Sequence, residues 1–128
     1  MSALSDYLEN EILDHILSVG AYTMPTNVYV GLSTGSFGDD NSGTELTGNN
    51  YSRVVASFGA AASGASANDA AIEFAAATGS WGSVSHFGIF DAASSGNLLI
   101  HGAFTTAKTI ASGDILKIPT GDLDITAA

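Results

Sequence analysis

Apolar residues recur about every four positions at the start of the chain and every second position further on. Leu4, Leu8, Ile12 and Ile16, with Leu13 and Leu17 beside them, make one stripe at helical spacing. The spacing predicts a helix over 5–19. Ser5 or Asp6 can cap it, and Asp6 and Glu9 lie at the end where the helix dipole favours negative charge. His15 suits the opposite, negative end, and Gly20 stands where a left-handed residue would stop the helix. Glu9, Asn10 and Asp14 fall on the face expected to see water. A helix of this length is marginal alone, so its stripe must dock, on the chain's own sheet in preference to a neighbouring subunit.

After Pro25 the period becomes two. Val28, Val30 and Leu32 alternate with Tyr29, Gly31 and Ser33, the pattern of a strand with one buried face. Residues 34–50 are a long loop of Gly, Ser, Asp, Asn and Thr. A loop of that length is usually functional or mobile. Further strands are predicted over 51–58, 71–74, 84–91, 98–104, 115–118 and 123–126, while 59–71 reads as a surface loop of Ala, Gly and Ser. A turn centred between Ser94 and Ser95 pairs Gly88 with His101 and Asp91 with Leu98. Phe87, Ile89, Leu98, Ile100 and Phe104 then share the core face. His86, Gly88, Phe90, Leu99, His101 and Ala103 share the other, also apolar enough to be covered. Many short strands between Gly-rich turns, plus one helix, predict a mainly β fold: an antiparallel β-sandwich with one N-terminal α-helix, a single domain over 1–128.

Charge changes the picture. Three basic residues, Arg53, Lys108 and Lys117, stand against 13 acidic ones, a net charge of -10. No basic stripe can be built from them, so no nucleic-acid partner is expected. With 45% apolar and 12% charged residues, neither a charge-rich disordered chain nor a coiled coil fits. Cysteine is absent, which removes disulfides and thiolate metal sites. No signal peptide and no membrane span are expected from the acidic, helix-patterned start and the short apolar runs.

Candidate chemistry is sparse. Gly31-Leu32-Ser33-Thr34-Gly35 matches the G-x-S-x-G nucleophile pattern, but a polar loop follows where a helix is required. His86 and His101 fall as diagonal neighbours and could share a divalent metal, yet no carboxylate is predicted on that face. Residues 39–45 (Asp39, Asp40, Asn41, Ser42, Gly43, Thr44, Glu45) offer oxygen ligands for Ca²⁺, although Thr44 and Asn50 stand where an EF-hand wants Gly and Glu. Asp69 and Glu73 could pair for glycoside chemistry, but the aromatics of a sugar platform are scattered at Tyr22, Tyr29 and Tyr51. Trp81 is expected to bury its ring and donate its N–H to a backbone carbonyl. No catalytic, cofactor-binding or metal-binding residue is assigned, and no enzymatic activity is expected.

The stretch Ser80-Trp81-Gly82-Ser83-Val84-Ser85-His86-Phe87-Gly88-Ile89-Phe90-Asp91-Ala92, followed by Gly96-Asn97-Leu98-Leu99, resembles a family of small phage virion proteins. Its members are labelled "tail fiber-like", and similar β-sandwich proteins serve as capsid cement in tailed phages. The likeness extends to Ser5-Asp6-Tyr7-Leu8-Glu9-Asn10, Val28-Tyr29-Val30-Gly31-Leu32, Gly102-Ala103 with Thr105-Thr106, and Ser112-Gly113-Asp114 with Gly121-Asp122-Leu123. The resemblance implies a non-enzymatic virion protein. Capsid decoration is the leading expectation, with the major capsid protein as partner, a trimeric or dimeric homo-oligomer and a place on the outer capsid surface. A tail component, with tail proteins as partners, is the alternative, and a glycan-binding host-recognition module the third. The helix stripe and the 34–50 loop are the candidate contact elements, the loop favoured. Shortening residues 36–48 is expected to leave the domain folded.

Overall fold

The computed structural model describes residues 2–127; Met1 and Ala128 of the predicted 1–128 domain lie outside the described residues. The elements run β1 (Ser2–Leu4), α1 (Asp6–Ile16), β2 (Val28–Ser33), β3 (Val54–Ala56), β4 (Ala65–Ala67), β5 (Ile72–Glu73), β6 (Gly82–Phe90), β7 (Leu98–Ile110), β8 (Lys117–Ile118) and β9 (Asp124–Thr126). Five strands form one antiparallel sheet in the order β1-β7-β6-β2-β3, and β4-β9 and β5-β8 form two antiparallel pairs. Ile72, Phe74, Leu116, Ile118 and Leu123, in and beside these pairs, share a core with Val30, Leu32, Val84, Phe87 and Ile89 of the large sheet. The arrangement is sandwich-like, mainly β, with a single short helix near the N-terminus, as the alternation predicted. Trp81 closes the core: it is buried, its Nε1 donates to the Asn49 carbonyl at 3.0 Å, and its ring meets Tyr51 edge-on at 5.6 Å.

The β6–β7 hairpin holds the predicted register through its middle, with Gly88 opposite His101, Ile89 opposite Ile100 and Phe87 opposite Gly102. Near the turn the pairing shifts, and Phe90 faces Leu98. Leu99 is the extra residue of a bulge. Leu98 is thereby turned off the predicted core face and packs with Phe90 and Phe37, while Leu99 joins the side of Ile89 and Ile100. Period-two reasoning fails there because a bulge adds one residue and exchanges the faces beyond it.

Other boundaries differ for local reasons. β7 runs on to Ile110, past the predicted end at Phe104, because Gly82, Ser83 and Val84 supply partners for Ile110, Thr109 and Lys108. Of 51–58 only Val54–Ala56 is strand; Tyr51 lies before it with its hydroxyl in the interior. Within the expected 59–71 loop, Ala65–Ala67 pairs with β9. Leu4, counted in the helical stripe, belongs to β1, opposite Ile100.

The helix is shorter than predicted. Ser5 is its N-cap, accepting from Leu8 N at 3.2 Å and donating from Oγ to the Leu98 carbonyl at 2.5 Å, so one hydroxyl starts the helix and ties it to β7. At the other end Ser18, not Gly20, takes the left-handed conformation (φ 65°). Val19 N then donates to Asp14 O at 2.9 Å, as in a Schellman cap. The expected docking of the stripe on the chain's own sheet holds only at its start. Leu8 is buried, but Leu13, Ile16 and Leu17 are 55%, 67% and 66% exposed. The helix touches the sheet through its first turns at the end of β7, and its last turns project beyond it.

Candidate functional site

The 34–50 loop follows Ser33 and is held at three levels. At its start Phe37, 1% exposed, meets Phe90 edge-on at 5.5 Å and packs on Leu98. At its middle Gly43 N donates to Phe37 O at 2.8 Å. A Cβ on Gly43 would stand 2.1 Å from the Ser36 carbonyl oxygen, so no larger residue fits that crossing. At its end Leu46 N donates to Leu32 O at 3.0 Å. The expectation that shortening residues 36–48 leaves the domain folded must therefore allow for Phe37, a core side chain, and Glu45, half of an internal ion pair, both within that segment.

Glu45, Tyr51 and Arg53 form that internal cluster. Arg53 Nε donates to Glu45 Oε2 at 2.9 Å and Nη2 to Oε1 at 2.8 Å, and Nη1 donates to the carbonyls of Ala92 and Ser95, each at 2.8 Å. The guanidinium carbon lies 3.6 Å from the centre of the Phe90 ring. Tyr51 donates its hydroxyl proton to Glu45 Oε2 at 2.5 Å and accepts from Leu32 N at 2.9 Å. Burial, then the hydrogen bond to Glu45, pushes the Tyr51 hydroxyl above the ordinary tyrosine value. Gly31 leaves the room: a Cβ there would sit 2.8 Å from Glu45 Oε2. One arginine thus joins the loop, the irregular segment just before β3 and the β6–β7 turn. Sequence reasoning passed over it. The available signals were a single arginine among three basic residues and a lone Phe37 in a polar loop.

The residues singled out by motif fall into separate structural roles. Ser33 is 1% exposed and gives its proton to the Thr44 carbonyl at 2.6 Å, while accepting from Gly35 N at 3.1 Å. It caps a strand and has no base as partner. His86 Nδ1 lies 2.7 Å from Ser85 Oγ. His101 Nε2 donates to Asp39 Oδ1 at 2.7 Å, so a carboxylate does reach the histidine face, from the loop instead of the sheet. Asp40 accepts from Ser42 N, and its hydrogen bonds with Ser42 hold its carboxyl below the ordinary value.

Asp39, Asp40 and Glu45 therefore have three different partners. No group of three or more His, Asp or Glu side chains with metal-holding geometry occurs among the described residues. Asp69 accepts from Ser57 Oγ, and Glu73 is exposed on β5 opposite Lys117, so these two carboxylates do not face a common cleft. Among the described residues no buried side-chain polar atom lacks a partner, and no helix is long and apolar enough to cross a membrane.

Two surfaces stand out among the described residues. One is the projecting end of α1 with the segment after it, where Val19 and Met24 are also exposed. The other is a groove of about 490 Å³ between β7 and β8, floored by Val84, Phe104 and Leu116 and edged by Lys108, Lys117 and Asp122.

A family model described as "Podophage GP4 fiber I protein gp80" matches residues 3–126. No curated protein matches the chain.

Proposed function

This chain belongs to the podophage GP4 fiber I protein gp80 family, and on that premise we propose that it is a non-enzymatic structural component of a phage virion, acting as a fiber-type module. The observation that carries the reading is the match over residues 3–126, nearly the whole chain. The internal chemistry supports it. The one G-x-S-x-G serine is buried and spent on a backbone carbonyl, and the carboxylates of the 39–45 loop bind an arginine, a histidine and a backbone N–H. Strong internal polar bonds under a compact β framework suit a part that must keep its shape.

The expectation of capsid decoration has no support over the fiber reading, since the family is described by a fiber. The partner we propose is another virion protein. Packaged DNA is disfavoured because a chain of net charge -10 is repelled by phosphate.

The test is the copy number in purified particles, by mass spectrometry against the major capsid protein, with immunogold labelling of the same particles. A few to a few dozen copies, labelled at the tail or at fibers, is the expected result. Hundreds of copies in simple ratio to the shell subunit would return the protein to capsid decoration. Absence from particles would overturn the virion reading and leave the glycan-binding module as the one to pursue.

A further inference from the structure

We propose that copies of this chain associate head to tail, the projecting end of α1 on one copy seating in the β7–β8 groove of the next. The first observation is charge placement. Of the three basic side chains, Arg53 is consumed internally by Glu45, and the other two, Lys108 and Lys117, edge the same groove. The helix carries Asp6, Glu9, Glu11 and Asp14 and no lysine or arginine. With a net charge of -10, copies repel one another overall, and those two lysines are the basic side chains left to offset that repulsion. The groove is the cationic place that an acidic helix of a second copy can approach.

The second observation is apolar fit. Leu13, Ile16 and Leu17 stand at i, i+3 and i+4, one face of the helix, and all are more than half exposed. The groove offers an apolar floor in Phe104 and Leu116 between its charged edges. An apolar helix face flanked by carboxylates, laid into an apolar groove whose edge carries Lys108 and Lys117 against the single acid Asp122, uses the helix-in-groove mode of recognition.

The third is geometry. The helix is tied to the Leu98 end of β7, through Ser5 Oγ to Leu98 O and Ser5 N to Leu99 O. Lys108 lies at the other end of that strand: its partner Val84 is six residues along β6 from Phe90, the partner of Leu98, roughly 20 Å at about 3.3 Å per residue. The two surfaces occupy opposite ends of the longest strand, so the contact is between different copies. It is also heterologous, closing into a ring or continuing as a filament according to the rotation between copies.

Sedimentation equilibrium of the isolated full chain over a wide concentration range tests this, and it is independent of where the protein sits in the particle. The wild type is expected to associate beyond its 12.9 kDa monomer. Lys108→Glu with Lys117→Glu is expected to weaken association at least about tenfold. Leu13→Gln with Ile16→Gln is expected to do the same. All four positions are exposed and both replacements in the helix are good helix formers, and circular dichroism confirms folding of each variant.

The decisive sample is an equimolar mixture of the two double variants. One intact helix face then meets one intact groove, and a dimer forms with nothing larger. A monomeric wild type, a lysine variant that associates like the wild type, or a mixture that stays monomeric overturns the proposal. Lys108→Gln with Lys117→Gln, which removes charge without reversing it, should weaken association less than the glutamate pair; equal or stronger weakening overturns the charge argument.

Discussion

Arg53 grips Glu45 at both carboxylate oxygens, 2.9 and 2.8 Å away, with side-chain exposures of only 8% and 22%. Two-point geometry and the Ala92 and Ser95 carbonyls satisfy most of the guanidinium's donors. Removing one partner leaves the other charge buried and unpaired. Arg53→Ala is therefore expected to cost about 3–5 kcal/mol, much of it from the stranded Glu45. Arg53→Met with Glu45→Gln should cost clearly less than the sum of the single changes. Urea unfolding of the four proteins in this cycle gives the coupling. Additive losses would mean that Arg53 acts through its stack on Phe90 and not through Glu45.

Phe37 is the apolar anchor of an otherwise polar loop, closed in by Phe90 and Leu98. Phe37→Ala is expected to cost about 3 kcal/mol, the low end for a buried phenylalanine, since its cluster can partly collapse. Amide exchange of residues 36–46 should rise more than that of β6 and β7, because the loop loses its anchor while the hairpin keeps its ladder. Uniform acceleration across both regions would show that the loop and hairpin open as one unit.

Phe87 is the measure of the hairpin register. It is 3% exposed, opposite Gly102, with its ring 5.5 Å from that of Phe104. Phe87→Ala is expected to cost about 3–5 kcal/mol in chemical denaturation. A loss below about 1 kcal/mol would place the side chain outside the core.

The strand through Val28, Val30 and Leu32 and the pairing of Gly88 with His101 were legible in the sequence, because a period of two and a polar turn leave few registers open. The single buried face expected of that strand was not found, since Gly31 and Ser33 are buried too, against Glu45, Tyr51 and Thr44 of the segment that folds back over them. Leu98 and Leu99 were not, because nothing in two adjacent leucines marks which one a bulge turns inward. The helix stripe is legible, but what covers it is not: Leu13, Ile16 and Leu17 stay more than half exposed. Periodicity reports which residues share a face, not whether anything lies against it. The tie of Glu45 to Arg53 was invisible for a different reason. It joins two segments whose approach depends on where Phe37 and the Ser33 hydroxyl fold the loop back, and a close crossing at Gly43 leaves no periodic trace.

The Tyr51 hydroxyl gives the stability a defined alkaline limit. Burial and its bond to Glu45 raise its value in the folded chain above the ordinary tyrosine value, which is about 10 and holds in the unfolded chain. Below that ordinary value both states keep the proton, and the hydroxyl's contribution is present in full. Above it the unfolded chain ionises while the native hydroxyl does not, so the unfolded state binds fewer protons and stability falls as pH rises. Tyr7 and Tyr22, raised chiefly by burial with added repulsion from nearby acidic groups, act in the same direction. The unfolding free energy is therefore expected to decline from about pH 10 upward. Tyr51→Phe should make that decline shallower, at the cost of leaving Leu32 N and Glu45 Oε2 each one partner short. Urea midpoints across the alkaline range, followed with phenolate absorbance, check both slopes. A decline as steep in Tyr51→Phe as in the wild type would assign the alkaline limit to groups other than this hydroxyl.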